Sequence, residues 1–236
     1  MEIKGLQKLT LLDFPERVAC TVFTAGCNFR CPFCHNALLV THRVEDFITE
    51  EEFFSFLSKR TGILDGVCIT GGEPTLQPDL PCLLANIKTL GYCVKLDTNG
   101  SNPAMLETLL EQGLVDYVAM DVKNSPARYG ETVGIPGFPL EKTEQSLRLL
   151  LSGPTDYELR TTCVAEFHEE AAAAAMGAWV ESLVPGVKPA KWYLQCFVDR
   201  DSVLQDGLHA PNREKLEKMR KALEPHALFV SLRGVD

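Results

Sequence analysis

The stretch "VACTVFTAGCNFRCPFCHN", residues 18 to 36, decides how the rest of the chain is read. It begins as an apolar run of strand length, Val18 to Thr24, and breaks at Gly26 into a loop that carries Cys27, Cys31 and Cys34. An apolar run stopped by glycine predicts a strand. A loop with three soft ligands in eight residues predicts chemistry where that strand ends.

Working outward, five more runs share the pattern: "GVCIT" (66–70), "YCVKLDT" (92–98), "DYVAMDV" (116–122), "DYELRTTCV" (156–164) and "KWYLQCFV" (191–198). Helical patterns lie between them. The first opens with Thr49 three residues before Glu52, a capping-box spacing, and continues through Phe53, Phe56 and Leu57. A second carries Leu80, Leu83, Leu84 and Ile87, and a third has Leu106, Leu109 and Leu110 before Gly113, a candidate left-handed cap. A fourth, "EKTEQSLRLLL", stops at "SGP", and a fifth is the alanine-rich "EEAAAAAMGAWVESLV". Parallel strands joined by helices cross over right-handed, so six units curl into an open doubly wound sheet or an incomplete barrel. The pattern does not choose between them. The tail adds a helix, "NREKLEKMRKALEP", and a short run, "ALFVSL", that reads as an added strand.

A chain of 236 residues with 45% hydrophobic and 23% charged residues buries a large core, and no Gly, Ser or Pro-rich linker divides it. One domain is expected, with a core at about 14–200 and a C-terminal extension at about 201–236. The net charge of -9 and scattered Lys and Arg argue against nucleic-acid binding. The start "MEIKGLQKLTLLDFPERVAC" does not read as a signal peptide, and no apolar run approaches about 18 residues. A cytoplasmic protein without a membrane span is expected. Nine cysteines in a chain of this size are expected as reduced thiols. Cys20, Cys68, Cys82, Cys93, Cys163 and Cys196 stand alone in apolar contexts and read as buried small hydrophobes. His42, His168, His209 and His226 read as solvated or structural.

Reactive groups in such folds gather at the carboxyl ends of the strands. Here these ends carry the cysteine loop, "TGGEP" (70–74), "DTNG" (97–100), and Asp121 with Lys123. Structural zinc wants four closed ligands, and His35, adjoining Cys34, would be a strained fourth. A 4Fe-4S cube held by three cysteines leaves one iron open to an exogenous ligand. Gly71 and Gly72 let the backbone approach a ligand without obstruction by Cβ.

Cys27-x3-Cys31-x2-Cys34, with Phe33 before the last cysteine and "GGEP" after the second predicted strand, resembles the radical S-adenosylmethionine (SAM) superfamily. "CHN" at 34–36, "DTNG" at 97–100 and "MDVK" at 120–123 narrow the resemblance to activating enzymes of glycyl-radical proteins. The opening looks most like the branch that activates anaerobic (class III) ribonucleotide reductase.

The resemblance implies an α/β fold of the partial (β/α)6 barrel type and one 4Fe-4S cluster on Cys27, Cys31 and Cys34. It implies SAM held by the Gly71, Gly72, Glu73 and Pro74 segment and by Asp121 and Lys123 beside its carboxylate. Arg160 is expected near SAM. Asp97 with the Thr98 carbonyl and Asp121 resembles a monovalent-cation site, with Asn99 adjoining. A histidine expected on the sixth strand is absent, and Gln195 stands there instead. Phe33 and His35 are expected beside the cluster and the adenine. The implied reaction is one-electron cleavage of SAM to methionine and a 5'-deoxyadenosyl radical, which takes the α-hydrogen of a partner's glycine. Flavodoxin or ferredoxin is implied as the electron donor. Two rivals remain: a radical SAM enzyme acting on a small molecule, such as 7-carboxy-7-deazaguanine synthase, and a zinc-binding structural module. "CHN" rather than "CDT" speaks against the first.

Overall fold

The computed structural model describes residues 1, 3–41, 47–199 and 203–235. His42 and the expected boundary near residue 200 lie outside the described residues. Eight strands form one sheet in chain order: β1 (Ile3–Thr10), β2 (Ala19–Thr24), β3 (Gly66–Gly71), β4 (Cys93–Thr98), β5 (Tyr117–Asp121), β6 (Asp156–Cys163), β7 (Trp192–Cys196) and β8 (Val230–Arg233). The helices are α1 (Ala37–Val40), α2 (Glu50–Ser58), α3 (Leu80–Thr89), α4 (Pro103–Glu111), α5 (Pro126–Thr132), α6 (Glu141–Ser152), α7 (Glu170–Leu183) and α8 (Arg213–Leu223).

The six apolar runs of the sequence are β2 to β7, each within two residues of its expected bounds. β2, β3 and β4 pair in parallel, as do β6, β7 and β8. β1 does not follow from the apolar pattern and lies outside the expected core. It is antiparallel to β2 with two register shifts, and its sequence, IKGLQKLT, is too polar to show an alternating face. The C-terminal extension is present as α8 and β8. α5, PARYGET, also escapes the periodicity, because only Tyr129 and Thr132 of it are buried.

The helices pack the faces their spacing predicts. Phe53 and Leu57 of α2, Leu80, Leu83, Leu84 and Ile87 of α3, and Leu106 and Leu109 of α4 are buried, whereas Phe56 and Leu110, at the margins of those faces, are half-buried. Gly113 has φ 63°, the left-handed conformation that glycine adopts without a Cβ penalty. The lone cysteines divide. Cys20, Cys68 and Cys163 are buried, whereas Cys93 and Cys196 are half-buried and Cys82 is exposed, since Cys82 falls on the outer side of α3.

By backbone contacts the chain divides into two compact units. The first is Met1–Asn28, Leu38–Thr98 and Ala104–Ala119; the second is Phe29–Ala37, Asn99–Pro103 and Met120–Asp236. The cysteine loop passes from the first to the second between Asn28 and Phe29.

The α2 capping box is complete: the Thr49 hydroxyl accepts from the Glu52 N–H at 3.2 Å, and the Glu52 carboxylate accepts from the Thr49 N–H at 2.9 Å. Thr49→Ala is expected to lower the unfolding free energy by about 1 kcal/mol, measured by urea denaturation, with the secondary structure unchanged.

Candidate active site at the strand ends

In the first unit the ends of β2 and β3 are zipped together beyond the strands. Gly72 N–H donates to the Thr24 carbonyl at 2.9 Å, and Glu73 N–H donates to the Gly26 carbonyl at 2.8 Å. The Gln77 side-chain amide donates to the Ala25 carbonyl at 2.8 Å. This closeness requires glycine. A Cβ on Gly72 would lie 1.9 Å from the Gly26 oxygen, and one on Gly71, at φ +120°, would lie 2.3 Å from the Thr24 nitrogen. The glycines therefore serve a backbone of this chain, the base of the cysteine loop.

Glu73 is buried, and its Oε1 accepts from Thr75 N at 3.1 Å, Thr75 Oγ1 at 2.5 Å and Thr98 Oγ1 at 2.8 Å. It thereby caps the 3-10 turn Pro74–Leu76, which Pro74 opens with its φ already fixed. The same carboxylate ties the "GGEP" segment to the end of β4.

Asp97 lies one residue before Thr98 and is ion-paired to Lys95, whose side chain is 2% exposed. Cys68 Sγ lies 3.8 Å from Lys95 Nζ and 3.9 Å from Asp97 Oδ1. The expected monovalent-cation ligand thus already meets an ammonium of this chain. Asn99, expected near the cofactor, is buried, and its Oδ1 accepts the Ser101 N–H at 2.9 Å in an Asx turn.

In the second unit the rest of the cysteine loop is held at several points. Arg30 N–H donates to the Val133 carbonyl at 2.9 Å, Cys34 N–H to the Cys31 carbonyl at 3.1 Å, and Gln205 N–H to the Pro32 carbonyl at 2.9 Å. Phe29 meets Phe138 edge-on at 5.0 Å, and Phe33 packs on Phe167 and His168. His35 stacks on Phe197 at 5.4 Å, and its Nε2 is 2.7 Å from the Val198 carbonyl. Its Nε2 is therefore engaged away from any metal.

Asp121, at the end of β5, grips two cations: Lys123 Nζ at 2.7 Å through Oδ2 and Arg160 Nε at 3.1 Å through Oδ1. Burial works against the Lys123 charge, but Asp121 beside it and the nearby Cys31 raise its pKa above the ordinary lysine value. Arg160, expected beside a cofactor, is thus placed through Asp121. Gln195 stands on β7 in register with Thr162 and Arg233.

Thiols are the donors that an iron-sulfur cluster takes. Cys31 is buried, and Cys27 and Cys34 are half-buried. Burial raises the Cys34 thiol pKa, against a smaller lowering by a backbone hydrogen bond at Asn36 and by Lys123. A closed zinc centre holds four donors each about 2.0–2.3 Å from one ion. Among the described residues no group of three or more His, Cys, Asp or Glu is gathered for such an ion. Nor is any helix among them long and apolar enough to cross a membrane.

Two residues escaped the sequence reading. Lys95 sits within an apolar strand run, so only its ion pair shows its place. His168, read as solvated or structural, is 2% exposed and lies 2.8 Å from the Lys123 carbonyl. Its sole sequence signal is that it follows a strand end.

Residues 21–153 match the description "Radical SAM superfamily". A relative from Methanocaldococcus jannaschii, provisionally named a glycyl-radical enzyme activating enzyme, is 30% identical over 99% of this chain and 96% of its own length. A radical SAM methyltransferase from Sphaerobacter thermophilus superposes with a TM-score of 0.73 at 13% identity, covering 95% of this chain and 68% of that one. A domain of pyruvate-formate lyase-activating enzyme from Bacteroides vulgatus gives 0.57 at 17%, covering 72% and 99%. At those identities the likeness is one of fold, the α/β partial (β/α)6 barrel type.

Two substitutions probe the first unit. Gly72→Ala is expected to cost about 3 kcal/mol of stability by driving two backbones apart. Lys95→Met removes the ammonium beside the half-buried Asp97 carboxylate and is expected to cost about 3 kcal/mol, most of it regained when Asp97→Asn is added. Chemical denaturation of the three variants measures both effects.

Proposed function

Because the chain belongs to the radical SAM superfamily, we propose that it activates a glycyl-radical enzyme, using a 4Fe-4S cluster and SAM to take the α-hydrogen from a glycine of its partner. The observation that carries this reading is the near full-length likeness to a relative named for that activity. "CHN", "DTNG" and "MDVK" support it. The partner proposed is the anaerobic ribonucleotide reductase, with flavodoxin or ferredoxin supplying the electron and the cytoplasm as the compartment. The whole chain is read as one such domain.

A cluster held by Cys27, Cys31 and Cys34 would supply the single electron for reductive cleavage of SAM. The residues of the chain hold and orient. Cys27, Cys31 and Cys34 are the proposed cluster ligands, each as a thiolate. The backbone at Gly71, Gly72 and Glu73, stiffened by Pro74, is proposed to receive the SAM amino group. Lys123 offers its ammonium to the SAM carboxylate. Asp121 keeps that ammonium charged and aims it, and Arg160 reaches the same place through Asp121. Phe33 and His35 are proposed to flank the cluster and the adenine, with Asn99 and Gln195 bordering the cofactor. Lys95 already brings positive charge to Asp97, so this reading needs no monovalent cation there. No general base or nucleophile is required, since hydrogen-atom abstraction moves proton and electron together. The protein's part is binding and positioning.

The reconstituted protein, handled without oxygen, is expected to be brown and to hold about four irons. Cys31→Ala is expected to lose the iron and all 5'-deoxyadenosine production while keeping its circular dichroism spectrum. Mixed with anaerobic ribonucleotide reductase, SAM and reductant, the wild type should give a glycyl-radical doublet by electron paramagnetic resonance. A colourless, zinc-loaded protein would overturn the reading.

A further inference from the structure

His168 lies between β6 and α7, and its ring nitrogens have different neighbours. Nδ1 faces the Val164 backbone N–H at 3.1 Å, and Nε2 faces the Lys123 carbonyl at 2.8 Å. A backbone N–H can only donate, so Nδ1 accepts and carries no proton. The ring's one hydrogen is then on Nε2, aimed at Lys123. Burial lowers the imidazole pKa to about 4, against backbone hydrogen bonds at Lys123 and Val164 that raise it, which keeps this neutral form at ordinary pH.

A second bond runs the opposite way. Asn124 Nδ2 donates to the Phe167 carbonyl at 2.9 Å and to Thr132 Oγ1 at 2.9 Å. Arg128 adds a donor to the same Phe167 carbonyl at 2.6 Å. The strap that follows β5 and the turn that follows β6 thus clasp each other, His168 to Lys123 and Asn124 to Phe167. The clasp also touches the cysteine loop. Phe33, between Cys31 and Cys34, lies edge-on to the His168 ring at 6.2 Å and 74° and meets Phe167 at 5.9 Å.

We propose that His168 is a positioning residue for SAM: by donating to the Lys123 carbonyl it fixes the backbone from which the Lys123 ammonium reaches the SAM carboxylate. This rests on the reading of Lys123 given above. A merely structural histidine would support the turn at Val164 alone. The two roles belong to different ring nitrogens, and that makes them separable.

Asparagine places its amide near the Nδ1 position of histidine, and glutamine places its amide near Nε2. His168→Asn keeps a partner for the Val164 N–H and releases the Lys123 carbonyl. His168→Gln keeps the donor to Lys123 and leaves Val164.

The test uses the reconstituted full chain. SAM affinity is read by equilibrium binding and by the SAM-induced change in the electron paramagnetic resonance spectrum of the reduced cluster. Iron content and thermal midpoint are measured beside them. The glutamine variant is expected to bind SAM within about twofold of wild type, and the asparagine variant about tenfold more weakly, with equal iron in both. His168→Leu, which fills the volume without a donor, is expected to match the asparagine variant and stands in for it should that chain fail to fold. Equal SAM affinity in the glutamine variant and the donor-less variants would overturn the proposal, as would affinities that simply follow the thermal midpoints. Wild type that holds its cluster but binds no SAM would overturn the functional reading, and this inference with it.

Discussion

The candidate site depends first on two backbones lying closer than any side chain permits. At Gly26 and Gly72 the chain following β2 and the chain following β3 are bonded through Glu73 N–H and the Gly26 carbonyl, with no room between them for a Cβ. Gly26 itself has φ 80°, and its N–H donates to the Leu39 carbonyl at 2.9 Å, so the base of the cysteine loop is fixed from both sides. Cys27 follows at once. Its position is inherited from the β2 and β3 register, in which Thr24 stands opposite Gly71. Glycine here spends conformational entropy to gain proximity, which side-chain packing would not supply.

The second constraint is charge held in poorly solvated places. Lys95 is nearly fully buried, and Lys123 and Arg160 are largely so, yet each has a carboxylate: Asp97 for the first, Asp121 for the other two. Leaving any of these ions alone would cost several kcal/mol, so the pairs are obligatory once the positions are filled. Asp121 serves two cations at the end of β5, and cations are what an anionic ligand group would meet there. Two acidic residues with similar sequence contexts thus differ in role. Asp97 pairs with Lys95, whereas Asp121 pairs with both Lys123 and Arg160.

How much of this was legible in the sequence follows from the range of the forces involved. Strands β2 to β7 were legible because a strand buried on both faces is written as a local apolar run. β1 was not, because its pairing is set by β2 and its own residues are mostly polar. Gly71 and Gly72 were legible as a place of close approach, but their partner was not. What approaches is the backbone of Thr24 and Gly26, more than forty residues earlier in the chain. Asp121 with Lys123 was legible as a pair from spacing. That Arg160 would join them needed the sheet. His168 looked like any solvated or structural histidine, since its meaning lies in which carbonyl its Nε2 meets.

The loop from Phe29 to Ala37 is heavily tethered for a segment with no strand and a single helical residue, Ala37. Thiols on a free loop would sample many separations, and gathering them would cost conformational entropy each time a ligand was bound. Here Phe29 and Phe33 are buried as aromatic anchors on either side of Cys31, and His35 is pinned just beyond Cys34. Backbone bonds from Arg30 to Val133 and from Gln205 to Pro32 close the intervals between. Most of the ordering cost is therefore met when the unit folds. Placement is thus the property that this loop's sequence most consistently specifies.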